Sequence, residues 1–166
     1  MRSLLKIIIL LLLLSSQIFS DAPDRKQLLS PMETLELLEE ISPYAITFGS
    51  GKKHIHIFID PYCSVSRNYI SFIYKKRERM FPKYKFHFYL YELRRKNSSK
   101  TIQTILSSEN RNYMLKTIMI DREDIEINNC IDEDDYIFEE IDEIAEVAKS
   151  IGVFKRPYIL VNGKVR

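Results

Sequence analysis

The residues of this 166-residue chain best suited to covalent chemistry are gathered around Cys63. His54-Ile55-His56-Ile57-Phe58-Ile59 reads as a strand, and Asp60-Pro61 stops it. From Ser64 to about Met80, Tyr69, Phe72, Ile73 and Met80 recur at helical spacing with Lys and Arg between them, so a helix follows at once. Cys63 therefore stands at a helix amino terminus, near unpaired backbone N–H groups and the positive end of the helix dipole. Both favour the thiolate, which is the nucleophilic form. Ser66, one turn along, offers a hydroxyl that can donate a hydrogen bond to that thiolate.

The remaining candidates carry weaker patterns. Cys130 is the only other thiol, and three states are open to it: a bond to Cys63, a buried free thiol, or a link to another chain. His54 and His56 share one face of the first strand, and His87 lies in the second. An H-x-H pair without a neighbouring carboxylate or Cys is a poor metal signature, so the three are expected to be histidines on the surface of a sheet. No cofactor motif is evident.

The elements that must position Cys63 follow in order. Ser30-Pro31-Met32-Glu33 is a capping box with proline at the first helical position, and Met32, Leu35, Leu38 and Ile41 predict an apolar face for a short helix over 31–41. After the Gly49-Ser50-Gly51 turn come the first strand, the helix behind Cys63, and a stop at Phe81-Pro82. Tyr84 to Leu93 alternates as a second strand, with Tyr84, Phe86, Phe88 and Leu90 facing the core. Residues 98–120 read as helical but broken around Ser107-Ser108. Ile137, Ile141, Ile144, Ala145, Ala148 and Ile151 form the stripe of a long helix ending at Gly152. Arg156-Pro157 leads into an apolar strand, Tyr158 to Val161, and Asn162-Gly163 is a hairpin turn. The sum is a β-α-β unit, a helical crossover and a hairpin: an α/β fold with the amino terminus of its helix at the edge of a sheet.

Two stretches together resemble a known family. Phe58-Ile59-Asp60-Pro61-Tyr62-Cys63-Ser64-Val65-Ser66 is similar to the strand-to-helix junction of thioredoxin-fold oxidoreductases, in particular the periplasmic Dsb-type isomerases. Gly152-Val153-Phe154-Lys155-Arg156-Pro157, with the strand and Asn-Gly turn after it, resembles their cis-proline loop. The resemblance spans roughly residues 44 to 166. It implies a thioredoxin-like fold with a central mixed sheet flanked by helices, a helical insertion before the cis-proline loop, and a shortened carboxy terminus. It further implies that Cys63 is the attacking cysteine, that Pro157 faces it, and that Tyr62, Arg156 and Pro157 meet an extended protein substrate. Arg156 either favours the thiolate as a nearby cation or is a solvated loop residue. Ser66 stands where the resolving cysteine belongs. A hydroxyl cannot attack a mixed disulfide, so release needs an external or substrate thiol, and net oxidation through an intramolecular Cys63–Ser66 bond is excluded.

The ends and the charge pattern complete the expectation. Arg2 and Lys6 precede the apolar run Ile7 to Leu14, and polarity returns before Ser20, the order of a signal peptide over residues 1–20 or of an uncleaved anchor. Residues 21–43 are a lead-in with one helix, and 44–166 form the domain. Loss of Arg2 and Lys6 with the leader takes the formal net charge from +2 to zero, which gives no basis for nucleic-acid binding. Two functions compete: an exported monothiol oxidoreductase or isomerase, and a non-catalytic thioredoxin-like binding module or chaperone.

Overall fold

A computed structural model describes residues 29–92, 96–125 and 135–166; the leader and Cys130 lie outside the described residues. Helix α1 (Pro31–Glu40) starts as its sequence dictates: Ser30 Oγ accepts from the Glu33 N–H at 3.3 Å, and the Glu33 carboxylate accepts from the Ser30 N–H at 2.8 Å. Its buried face differs from the expected one. Met32 and Leu35 are 69% and 39% exposed, whereas Thr34, Leu38 and Ile41 are buried. The steps of four and three from Thr34 keep these three on one stripe. Thr34 can join it because its hydroxyl donates to the Ser30 carbonyl at 2.8 Å and enters the core satisfied.

The sheet has five strands in the order β1-β3-β2-β4-β5: β1 (Ile46–Phe48), β2 (Lys53–Ile59), β3 (Tyr84–Leu90), β4 (Tyr158–Val161) and β5 (Lys164–Val165). β2 and β3 run parallel, with Ile57 opposite Phe88 and Ile59 opposite Leu90; β1, β4 and β5 are antiparallel to their neighbours. β1 was not foreseen. Its three residues are too few to show a period, and its register against Phe86–Phe88 is set only in three dimensions. Between β2 and β3 run α2 (Ser64–Lys75) and the single turn α3 (Arg77–Met80). The one helix expected to Met80 breaks at Lys76, whose N–H is shared between the carbonyls of Phe72 and Ile73. Gly49 has a φ of +84°, and a Cβ there would lie 2.4 Å from the Tyr84 carbonyl, so the turn that aligns β2 with β3 requires glycine.

The helical insertion comprises α4 (Ser99–Leu106), α5 (Arg111–Lys116), a π-helical turn (Thr117–Asp121) and α6 (Asp135–Ile151). The expected break falls at Ser107, and the Asn110 side chain restarts the chain as the cap of α5. Ile57, Ile59, Phe86, Phe88 and Leu90 face α2, α4 and α5 on one side of the sheet, while Phe58, Tyr89, Tyr158 and Leu160 face α1 and α6 on the other. Among the described residues no helix is long and apolar enough to cross a membrane.

One ion pair ties the insertion together. Glu140 on α6 is 1% exposed and accepts two hydrogen bonds from Arg111, at 2.8 and 3.0 Å. Burial pushes its carboxyl upward and Arg111 pulls it back. Removing one partner strands the other, so Arg111→Ala should cost about 2–3 kcal/mol, just under the range for fully buried pairs because Arg111 is partly solvated. Urea unfolding of the two proteins at pH 7 measures it, and a loss below about 0.5 kcal/mol, the scale of exposed pairs, contradicts the assignment.

Candidate active site around Cys63

Cys63 is the N-cap of α2, with extended backbone at φ −85° and ψ 114°. Its N–H donates to the Asp60 carbonyl at 3.1 Å, and its own carbonyl accepts from the Arg67 N–H at 3.0 Å. No side chain caps this helix end, so the first-turn N–H groups keep their positive field beside the thiol. The thiol is 8% exposed and lies 3.8 Å from the Arg156 carbonyl, contributed by a loop 93 residues away. The Arg156–Pro157 peptide bond is cis. The strand-to-helix junction and the proline loop thus meet at the sulfur.

Ser66 is fully buried, and its Oγ accepts from the Asp60 N–H at 3.4 Å rather than bonding the Cys63 thiol. Tyr62 is 37% exposed at the rim of the site. Its hydroxyl accepts from Thr101 Oγ1 at 2.8 Å, and the Arg67 guanidinium sits 5.9 Å from its ring. Tyr62 and Arg67 line one wall of a shallow cavity of about 150 Å³ closed by Thr104, Ile118 and Ile125.

Arg156 is neither solvated nor aimed at the sulfur. It is 8% exposed, and its guanidinium lies 3.9 Å over the Tyr91 ring. Its nitrogens donate to the carbonyls of Tyr91 at 3.1 Å, Glu92 at 3.2 Å and Lys155 at 3.2 Å. Burial lowers its pKa, opposed first by Tyr91 and then by Asp60 and Cys63. The side chain acts chiefly as a tie between the proline loop and the end of β3.

Several residues of the site escaped the sequence reading. Asp60, fully buried behind the motif, accepts from the Tyr62 N–H at 2.7 Å and from Ser98 Oγ at 2.9 Å. Glu92 accepts from the N–H groups of Ser98 and Ser99 at 2.6 and 3.3 Å, anchoring the start of α4 near the same strand ends. Asp60 looked like a strand stop, and only its place between a strand and the candidate cysteine hinted at more. The histidines also depart from expectation. His54 is exposed, but His56 and His87 are 7% and 6% exposed, because α1 and the rings beside them cover that face of the sheet.

No family model matches the chain, and no curated protein matches it. Solved structures do. ScsC from Proteus mirabilis in a compact conformation is similar over 99% of this chain and 88% of its own, with 14% identity and a TM-score of 0.65. BdbD from Bacillus subtilis is similar over 75% of this chain and 84% of its own, with 13% identity and a TM-score of 0.57. The thiol-disulfide exchange protein alpha-DsbA2 from Wolbachia pipientis is similar over 81% of this chain and 86% of its own, at 15% identity and a TM-score of 0.56. Likeness at such identities speaks for the fold, and the mixed five-stranded sheet with helices on both faces agrees with it. The chain has a thioredoxin-like fold, on the plan seen in Dsb-type proteins.

Proposed function

We propose that this protein is an exported monothiol thiol–disulfide exchange protein acting on protein substrates through Cys63. The observation that carries the reading is the thiol at an uncapped helix amino terminus, 3.8 Å from the carbonyl that precedes a cis proline. The Cys63 thiolate attacks one sulfur of a substrate disulfide, forms a mixed disulfide, and expels the other sulfur as a thiolate. A second thiolate, from the substrate or from a small external thiol, then attacks the substrate sulfur and restores Cys63. With a substrate thiol the result is isomerisation without net redox change. Reduction instead takes two external thiols, the first attacking the Cys63 sulfur to free the substrate as a dithiol and the second displacing Cys63, so that the two external thiols leave as one disulfide having given up two electrons. Tyr62 offers an exposed aromatic surface to the substrate, and the backbone beside Pro157 offers it hydrogen bonds. The basic and apolar leader supports export into an oxidising compartment where such substrates occur.

The test uses the full chain with Cys130→Ala and oxidised glutathione at pH 7. Cys63 should form the mixed disulfide about ten-fold or more faster than the same chain unfolded in urea, and should release glutathione only when a thiol is added. A folded-state rate equal to or below the unfolded one removes the catalytic reading. What then stands is a thioredoxin-shaped binding module, which the burial of Ser66 in place of a second thiol would suit.

A further inference from the structure

At the opposite end of β2 from Cys63, three imidazoles converge. His54, His56 and His87 each place a ring nitrogen within 4.8 Å of the others. His87 Nε2 lies 3.2 Å from His54 Nδ1, and the His56 and His87 rings stack at 4.6 Å and 9°. The pairing across the parallel strands puts His56 directly opposite His87, so the backbone itself fixes the neighbourhood. Along the strand, five residues separate His54 from Ile59, roughly 16 Å at 3.3 Å each, so the cluster is separate from the thiol site.

The protein orients one of these rings. His56 Nδ1 is 3.0 Å from the Tyr89 hydroxyl, which in turn donates to the Leu38 carbonyl at 3.5 Å. When the hydroxyl proton goes to Leu38, the hydroxyl accepts from His56 Nδ1–H and the lone pair falls on His56 Nε2. A second-sphere oxygen that sets the tautomer in this way is the usual companion of a metal-binding histidine. His87 is different: its Nδ1 is buried without a hydrogen-bond partner among the described residues. Among the described residues the hydrogen-bonding contact of the His87 ring is the one from its Nε2 to His54.

We infer that His54, His56 and His87 form a binding site for a divalent first-row transition ion of the zinc kind, with one position open to water on the exposed His54 side. An ion held at about 2.0–2.1 Å from each nitrogen in a tetrahedron places adjacent ligands about 3.3 Å apart. The His54–His87 separation of 3.2 Å already matches that edge. The stacked His56 ring must move toward the other two, which draws on its hydrogen bond to Tyr89. Three imidazoles with no carboxylate or thiolate suit zinc, copper or nickel far better than calcium or magnesium.

The experiment titrates Zn²⁺ into the full chain with Cys63→Ala and Cys130→Ala, so that no thiolate can compete. Expected are one ion bound per chain, a joint shift of the ring resonances of His54, His56 and His87, and affinity weakened about ten-fold or more by His54→Ala. His54 is exposed, so that variant keeps the fold. No binding at stoichiometric Zn²⁺ overturns the inference. So does binding that leaves the three rings unshifted or is indifferent to His54→Ala.

Discussion

Replacing Ser66 by cysteine should produce a chain that closes a reversible disulfide between Cys63 and the introduced sulfur, and that no longer needs an added thiol to release its substrate. Ser66 lies three residues after the N-cap in the first turn of α2, fully buried and on the same helix end as the thiol. A sulfur there can attack Cys63 in a mixed disulfide, expelling the substrate as a thiolate while the two protein sulfurs join; the substrate gains two electrons and the protein loses them. The cost to the fold is small, about 1 kcal/mol for the long hydrogen bond from the Asp60 N–H. Mass measurement after acid quenching, over a series of reduced and oxidised glutathione ratios, counts the disulfide. If the Ser66→Cys variant stays a dithiol at every ratio, the helix end does not have the geometry of an exchange site, and the proposed chemistry fails with it.

Acidification should unfold this protein well before its carboxylates are all protonated. Burial, together with the neighbouring histidines, lowers the pKa of His56 to about 3; burial, His54 and Lys85 lower that of His87 to about 4. In the unfolded chain both return to about 6.5. Below that value the unfolded state binds protons that the folded state refuses, so stability present at neutral pH is lost as pH falls toward the folded values. Each histidine contributes a slope of about 1.4 kcal/mol per pH unit at most. With partial solvation of His87 allowed for, the pair should remove about 3–5 kcal/mol between pH 6.5 and 4, a large share of the stability typical for a domain this size. Facing the two rings are His54, Tyr89 and Lys85, with Glu39 near Tyr89. Glu140, whose carboxyl burial raises, works in the opposite direction. Urea midpoints from pH 4 to 7 give the slope, and His56→Gln, which has no proton to take up, should flatten it by about one proton. An unchanged slope in that variant would mean that His56 is protonated in the folded state.

What sequence could and could not reveal divides along a physical line. The thiol at a helix start and the proline before a strand are local patterns, written in a few adjacent residues, and both stood out. So did the capping box at Ser30, the break at Ser107, the long apolar stripe of α6 and the alternation of β3. The purpose of Arg156 depends on carbonyls at Tyr91 and Glu92, some 65 residues away, and no local pattern encodes such a partner. The burial of His56 and His87 is of the same kind, since it follows from α1 settling over that face of the sheet. The face that α1 presents was misjudged because Thr34 counts as polar until its hydroxyl is seen bonded one turn back.

The tie made by Arg156 has a consequence for any encounter at this site. A loop left free would have to surrender its motions each time an extended chain lay across it, and that lost entropy would come out of the affinity. Here the loop is bound from behind by two hydrogen bonds, to Tyr91 and Glu92, and a stacked ring before any partner arrives. If the proposed exchange function holds, a visiting chain would lose only its own freedom on binding there.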